Sequence, residues 1–381
     1  MSVARHSVSS MSEPRPFEIH IPDQVLADLR DRLARSRILD DSPRRPASGM
    51  TAAYLRELVD EWIGWDWRAR EAWLNEHPQF VAEVGDADVH FAHLRSSDRA
   101  DAPALLVLHG WPHTFALQLD FADRLPDFHV VVASLPGFAF SSPYATGEMS
   151  EKRLAATMHA LMTDVLGYER YFTYGEDVTA NVSDLIAARY PEHVAGIVAT
   201  HAHFPTTEER AALDDPAAKE FFDDIAAKHQ TDGAYGHVQA TRPDTLAAAL
   251  NDSPAGLLAW LTEKLVEWSD TPPGDPSAVE RRISRDRILT EATIYWATQT
   301  IGSSFRPYYE GADQPDPIPP TTVPAAVLIQ RHEAAYPESL ARRHYLDLRV
   351  FDRLEEGGHF TVAEVPDELA ARVREFVRSL G

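Results

Sequence analysis

Three side chains in this chain could together carry out a displacement and then a hydrolysis. One is an acid in TYGEDVTAN (173–181), one a histidine in GGHF (357–360), and one an acid closing VPAAVLIQRHE (323–333). Asp177 stands where a strand-like run, YFTYG, gives way to a helix-like one. A carboxylate is already ionised near neutral pH, so it can attack an sp³ carbon directly and form an ester with it. The ester then needs water and a base, for which His359 is the candidate, with Glu333 to orient it. Asp is also a favoured helix cap, and on this stretch alone the two readings of Asp177 weigh equally. Seventeen histidines make chance matches easy, so His359 is chosen by its placement on a glycine-rich loop between the last strand-like run and the last helix-like one.

The register of the turn can be tested. A nucleophile on a sharp strand-to-helix turn needs small residues two places to either side. Centring on Asp177 puts Gly175 and Thr179 there, whereas centring on Glu176 would put Tyr174 and Val178. HGWP (109–112) directly follows the apolar run ALLVL. A loop in that place supplies one oxyanion N–H and the residue after the nucleophile supplies another, which points to Trp111 and Val178. His109 is read as support for the loop. Glu338 and Asp352 compete with Glu333, but Glu338 lies further along the loop and Asp352 falls inside a strand pattern.

These residues need a scaffold, and the sequence outlines one. After a polar start the run PDQVLADLRDRLARSR spaces Leu26, Leu29 and Leu33 as a helix face, and a second helix follows Thr51 with Leu55, Leu58 and Trp62 on one stripe. Trp65, Trp67 and Trp73 are expected to pack this arm onto the body. FVAEV and VHFAHLRS flank Gly85-Asp86, a hairpin signal. Short apolar runs then recur (ALLVLHG, HVVVASL, YFTYG, VAGIVATH), as in parallel strands buried on both faces. Between two of them Leu154, Met158, Leu161 and Val165 form a helical stripe ending at Gly167. From about Phe204 to Tyr309 helical patterns dominate, before VPAAVLIQ and LRVFDRL resume the sheet.

The expected architecture is α/β: an α/β-hydrolase fold with a mostly parallel central sheet flanked by helices, a helical lid and an N-terminal meander. The expected divisions are a disordered tail (1–15), meander and first hairpin (16–95), a first segment of the α/β-hydrolase core (96–205), the lid (206–320) and a second core segment (321–381), with QPDPIPPTTVP (314–324) as the return linker.

Composition narrows the function. A net charge of −23 disfavours nucleic acid and anionic membranes. The absence of cysteine excludes disulfides, thiolate metal sites and a cysteine nucleophile. No stretch reads as an export signal or a membrane span, so a soluble cytoplasmic protein is expected, and a homodimer is left open. His201 and His203 in THAHF lack a third placed metal ligand, and Asn181-Val182-Ser183 matches a glycosylation pattern on the helix after Asp177; both are read as coincidence. No metal and no cofactor are expected.

The chain resembles the microsomal-type epoxide hydrolase family from about Pro16 to Gly381. The resemblance rests on PFEIHIPDQVLADLRDRLARSR, YLRELVDEW, DWRAREAWLNEHPQF, HGWP, SLPGFAFS, the turn at Asp177, YPEHVAGI, SSFRPYYE and GGHF taken in order. It implies a small-molecule epoxide substrate, opened to a vicinal diol through an ester on Asp177. It also implies two lid tyrosines that hold the epoxide oxygen: Tyr235 in AYGHVQATRP and Tyr308 in SSFRPYYE, with Tyr309 as the alternative to Tyr308. Val178 and Thr179 stand where the family has Trp and Gly, and His113-Thr114 where it often has Gly-Ser, so pocket shape is expected to differ. Other readings are a haloalkane dehalogenase with the same Asp and His, an ester hydrolase, disfavoured for want of a serine at the turn, and a catalytically silent binder of apolar epoxides.

Overall fold

The structure is a computed structural model, and it describes residues 13–45, 49–310 and 317–381. Among these residues nine strands form one sheet: β1 Arg15–Phe17, β2 Gln79–Val84, β3 Ala87–Leu94, β4 Ala104–Leu108, β5 His129–Ala133, β6 Tyr171–Gly175, β7 Val194–Ala199, β8 Thr321–Ile329 and β9 Tyr345–Arg353. Their spatial order is β1-β2-β3-β5-β4-β6-β7-β8-β9. The pairs from β1 to β5 are antiparallel, and every pair from β5 to β9 is parallel.

The all-apolar runs are central because both faces of their strands are covered. Every residue of β4, β5 and β6 is buried, and two hydrophobic clusters lie on opposite faces of the sheet. Parallel strands joined by helices place all the loops at their carboxyl ends on one edge, and that is where ligands bind in such sheets.

The N-terminal arm follows its sequence pattern. Helix Asp23–Ala34 buries Leu26, Leu29 and Leu33. Helix Ala52–Gly64 buries Tyr54, Leu58, Val59 and Trp62, leaving Leu55 half-exposed. Gly85 turns the hairpin at φ 69°, a conformation that costs glycine little.

Three expectations need correction. The tail placed at 1–15 ends too late: residues 1–12 lie outside the described residues, and Arg15 already pairs with Val81 in β1. The linker placed at 314–324 runs too far, because β8 starts at Thr321, and residues 314–316 lie outside the described residues. The stripe Leu154, Met158, Leu161, Val165 slips at its end. Residues Leu161–Val165 form a π-turn, whose wider i→i+5 bonding rotates the face by about one residue. Met162 is therefore buried and Val165 is not. From Thr207 to Glu310 the described elements are helical.

Candidate active site

Each candidate core residue sits just past a strand of the parallel edge. Asp177 follows β6 by two residues and caps helix Val178–Arg189 with φ 55° and ψ −131°. A non-glycine residue there is strained by roughly 1–3 kcal/mol, and such outliers gather at functional sites. The turn is tight because a Cβ on Gly175 would lie 2.2 Å from the Thr179 carbonyl oxygen. Thr179, the departure from glycine, is buried and used: its hydroxyl accepts from the Glu176 N–H at 3.0 Å and approaches the carbonyl oxygens of Glu176 (2.7 Å) and Leu108 (3.1 Å).

The loop after β4 reaches Asp177 from the other side. A Cβ on Gly110 would fall 2.3 Å from that of Asp177, so only glycine lets the two segments meet. The Trp111 N–H donates to Asp177 Oδ1 at 3.2 Å, and the Val178 N–H also hydrogen-bonds the carboxylate. His109 braces the loop, accepting from the Leu135 N–H and donating to the Gly110 carbonyl. Thr114 caps the helix that starts at Phe115.

His359 lies after β9, with its loop held by Glu364, whose carboxylate accepts N–H bonds from Asp270, Gly358 and Phe360. Its Nε2 is 3.4 Å from Asp177 Oδ2 and its Nδ1 is 3.3 Å from Glu333 Oε1. The other acids are engaged elsewhere, Glu338 with Arg342 and Asp352 with Arg372.

Charge polarises this triad. Burial would raise the Asp177 pKa, but the hydrogen bond and charge of His359 and the Val178 N–H outweigh it and bring it down to about 2. Burial would lower that of His359, yet its two carboxylate partners raise it to about 10. Desolvation would raise the Glu333 pKa too, but His359 and Lys228 hold it well below the usual carboxylate range. The resting site is thus an imidazolium between two carboxylates.

The lid lines a cavity of about 450 Å³ with Tyr235 and packs Tyr308 against that tyrosine. Their rings meet edge to face with centroids 5.9 Å apart, and Tyr235 stacks on Trp111 at 5.3 Å. Burial first, then the Asp177 charge for Tyr235 and the Tyr235 and Asp177 charges for Tyr308, raise both phenols, so each stays protonated as a donor. Tyr309 faces outward, 37% exposed. Phe221, Ile225, Trp268 and Tyr336 give the cavity an apolar wall.

Matches to known proteins agree with this arrangement. Residues 14–117 match the family model described as "Epoxide hydrolase N terminus", and residues 103–299 match "alpha/beta hydrolase fold". A Stigmatella aurantiaca protein provisionally named an epoxide hydrolase is 33% identical, with 96% of this chain and 85% of that protein covered. The chain belongs to the epoxide hydrolase family. Epoxide hydrolase 1 of Sus scrofa is 29% identical, with coverage of 95% and 88%. The Aspergillus niger epoxide hydrolase structure superposes with a TM-score of 0.82 at 28% identity, covering 98% of both chains. The juvenile hormone epoxide hydrolase structure from Bombyx mori gives 0.87 at 24% identity, covering 97% and 95%, and speaks for the fold. No helix among the described residues is long and apolar enough to cross a membrane.

The sequence pattern of this epoxide hydrolase passes over residues that the site uses. Lys228 reaches Glu333 Oε2 at 3.4 Å from the lid. Glu176, fully buried beside Asp177, accepts from the Tyr174 hydroxyl and the Val362 N–H. His201 touches both Asp177 and His359. Position just past a strand end was the available signal for His201; nothing local marks the other two. The pair His201 and His203 is divided: His203 stacks on His344 at 3.8 Å beside Asp184, while His201 joins Glu333 and His359. Stacked rings at 9° aim their lone pairs side by side, whereas a shared ion needs them convergent.

Proposed function

We propose that this epoxide hydrolase acts through a covalent ester on Asp177. The observation that carries the reading is the division of the carboxylate: Oδ1 takes the Trp111 N–H while Oδ2 faces His359, with Tyr235 lining the same cavity. In the first step Oδ2 attacks a ring carbon, the ring C–O bond breaks, and the released oxygen takes a proton from Tyr235 or Tyr308. Alkylation cancels one of the two charges that keep His359 protonated. The imidazolium then gives its proton, through solvent, to the tyrosinate.

Neutral His359, oriented by Glu333, next takes a proton from water. The hydroxide adds to the ester carbonyl, whose oxyanion is held by the Trp111 and Val178 N–H groups. Collapse breaks the ester C–O bond, the diol oxygen takes up the proton from the carboxyl group, and the site returns to carboxylate, imidazolium and two phenols. Epoxide plus water gives one vicinal diol. The substrate is an uncharged apolar epoxide small enough for the cavity, with styrene oxide as a practical probe. A single turnover in heavy-oxygen water should leave the label in the Asp177 carboxylate; label in the diol with none in Asp177 would refute the ester.

A further inference from the structure

His201 lies two residues beyond β7, half-buried between Asp177 and His359. Its Nδ1 accepts the Asp177 backbone N–H at 3.3 Å, so in the neutral ring the proton must sit on Nε2. That nitrogen is 3.2 Å from His359 Nδ1 and 3.4 Å from the Gln330 side-chain amide, whose oxygen must be the atom turned toward a protonated Nε2, with the two imidazoles 4.4 Å apart at 57°. The nitrogen that orients the base therefore has two neighbours with opposite demands. Glu333 Oε1, 3.3 Å away, favours a proton on Nδ1. The His201 N–H presents a second donor to the same nitrogen, and two donors facing each other repel.

We propose that His201 is a positioning residue with two separable tasks: Nδ1 anchors the strained nucleophile turn, and Nε2–H limits how strongly Glu333 protonates the catalytic base. This inference rests on the ester mechanism, because it acts on the hydrolysis of the alkylated enzyme. Glu333 and Lys228 set the field on the base from β8 and the lid, and once Asp177 is esterified its charge is gone. The His201 N–H is then the contact opposing the Glu333 charge at Nδ1. With Glu333 holding a proton on Nδ1 in both charge states, the facing N–H dipole disfavours the imidazolium more than the neutral ring and so keeps His359 available as a base at lower pH than Glu333 alone would allow. The charged groups facing His201 itself are His359, Glu333, Glu176 and Asp177. Burial first, and then the His359 charge, lower its pKa to about 4, so the ring is neutral where the enzyme would work.

Two variants separate the tasks. His201→Asn keeps an acceptor near the Nδ1 position and removes Nε2–H; His201→Gln keeps a donor near Nε2 and loses the acceptor. Rapid-quench measurements with styrene oxide should give the alkylation rate and, separately, the pH midpoint below which ester hydrolysis fails. In His201→Asn that midpoint should rise by about one pH unit, as expected for loss of one close dipole at a titrating group. In His201→Gln the midpoint should stay nearer the wild type while alkylation slows by about tenfold, the effect of one hydrogen bond lost at the turn. If both variants keep the wild-type midpoint, or His201→Asn lowers it, the assignment is wrong although the ester stands. If wild-type enzyme forms no Asp177 ester by intact-protein mass, the mechanism and the assignment fail together. Histidine ¹⁵N spectra of the wild type give a check that needs no variant to fold: a neutral His201 protonated on Nδ1 would contradict the proposal.

Discussion

The two walls of the active site are built differently. Asp177, Glu333 and His359, with Trp111 and His201, hang from the carboxyl ends of β4 and β6 to β9, whose spacing is fixed by backbone hydrogen bonds across one sheet. Tyr235 and Tyr308 come from lid helices Ala234–Thr241 and Arg306–Glu310, of eight and five residues. Helices that short do not hold themselves in water, so their place depends on packing, of Tyr235 on Trp111 and Trp268 and of the two tyrosines on each other. On the proposed mechanism the sheet wall would hold the groups whose geometry must be exact in both steps, and the lid wall would supply the donors needed when the ring opens.

If that division is right, the walls should fail in different steps. Replacing the base is the most severe test. His359→Gln should leave the nucleophile able to open the ring, so one equivalent of epoxide is consumed and a stable adduct appears in the intact-protein mass. Steady-state diol formation should fall by about 10³–10⁴, the range for loss of a general base. Failure to form any adduct would mean that the sheet wall cannot be divided into steps.

The lid tyrosines sharpen the same comparison. Tyr235→Phe and Tyr308→Phe should each slow alkylation by about 10², as for the loss of one donor to a developing oxyanion. Hydrolysis of an ester already formed should change far less, because the phenols face the alkoxide and the Trp111 and Val178 N–H groups face the carbonyl. Tyr309→Phe, outside the cavity, is the control. A Tyr308→Phe variant as slow in hydrolysis as in alkylation would remove the distinction between the walls.

The same contrast explains what could be read from sequence. The strand runs, the hairpin at Gly85, the turn centred on Asp177 and the loop of His359 are local patterns, in which type and spacing of neighbours decide the conformation. Glu333 followed from its place after β8. Tyr235 and Tyr308 carry no such mark: among twelve tyrosines only family resemblance singled them out, since their role depends on how short helices pack over a distant strand edge. Lys228 and Glu176 were passed over because a contact that ties each to the site comes from far along the chain, 105 residues away for Lys228 and 186 for Glu176. The slip from Val165 to Met162 came from a π-turn, which a 3.6-residue period cannot foresee.

Thr179 gives the mildest test, and it concerns the turn on which the sheet wall depends. Where the family has glycine, this chain has a hydroxyl that bonds the buried Glu176 N–H and approaches the Leu108 carbonyl, reinforcing beside Asp177 the backbone bond from Glu176 to Leu108. Thr179→Val keeps the shape but leaves that N–H only its longer, 3.3 Å bond to the Leu108 carbonyl, which should cost about 1 kcal/mol of stability. Thr179→Ser keeps the hydroxyl and should cost less, mainly the lost methyl contact. Thr179→Gly removes the tie but also the Cβ, and since glycine inside helix Val178–Arg189 loses more backbone entropy on folding, it should be less stable than Thr179→Ser. Denaturant midpoints order the three variants. A Thr179→Val protein as stable as wild type would mean that Gly175 and the approach of Gly110 hold the turn alone, with the hydroxyl adding nothing.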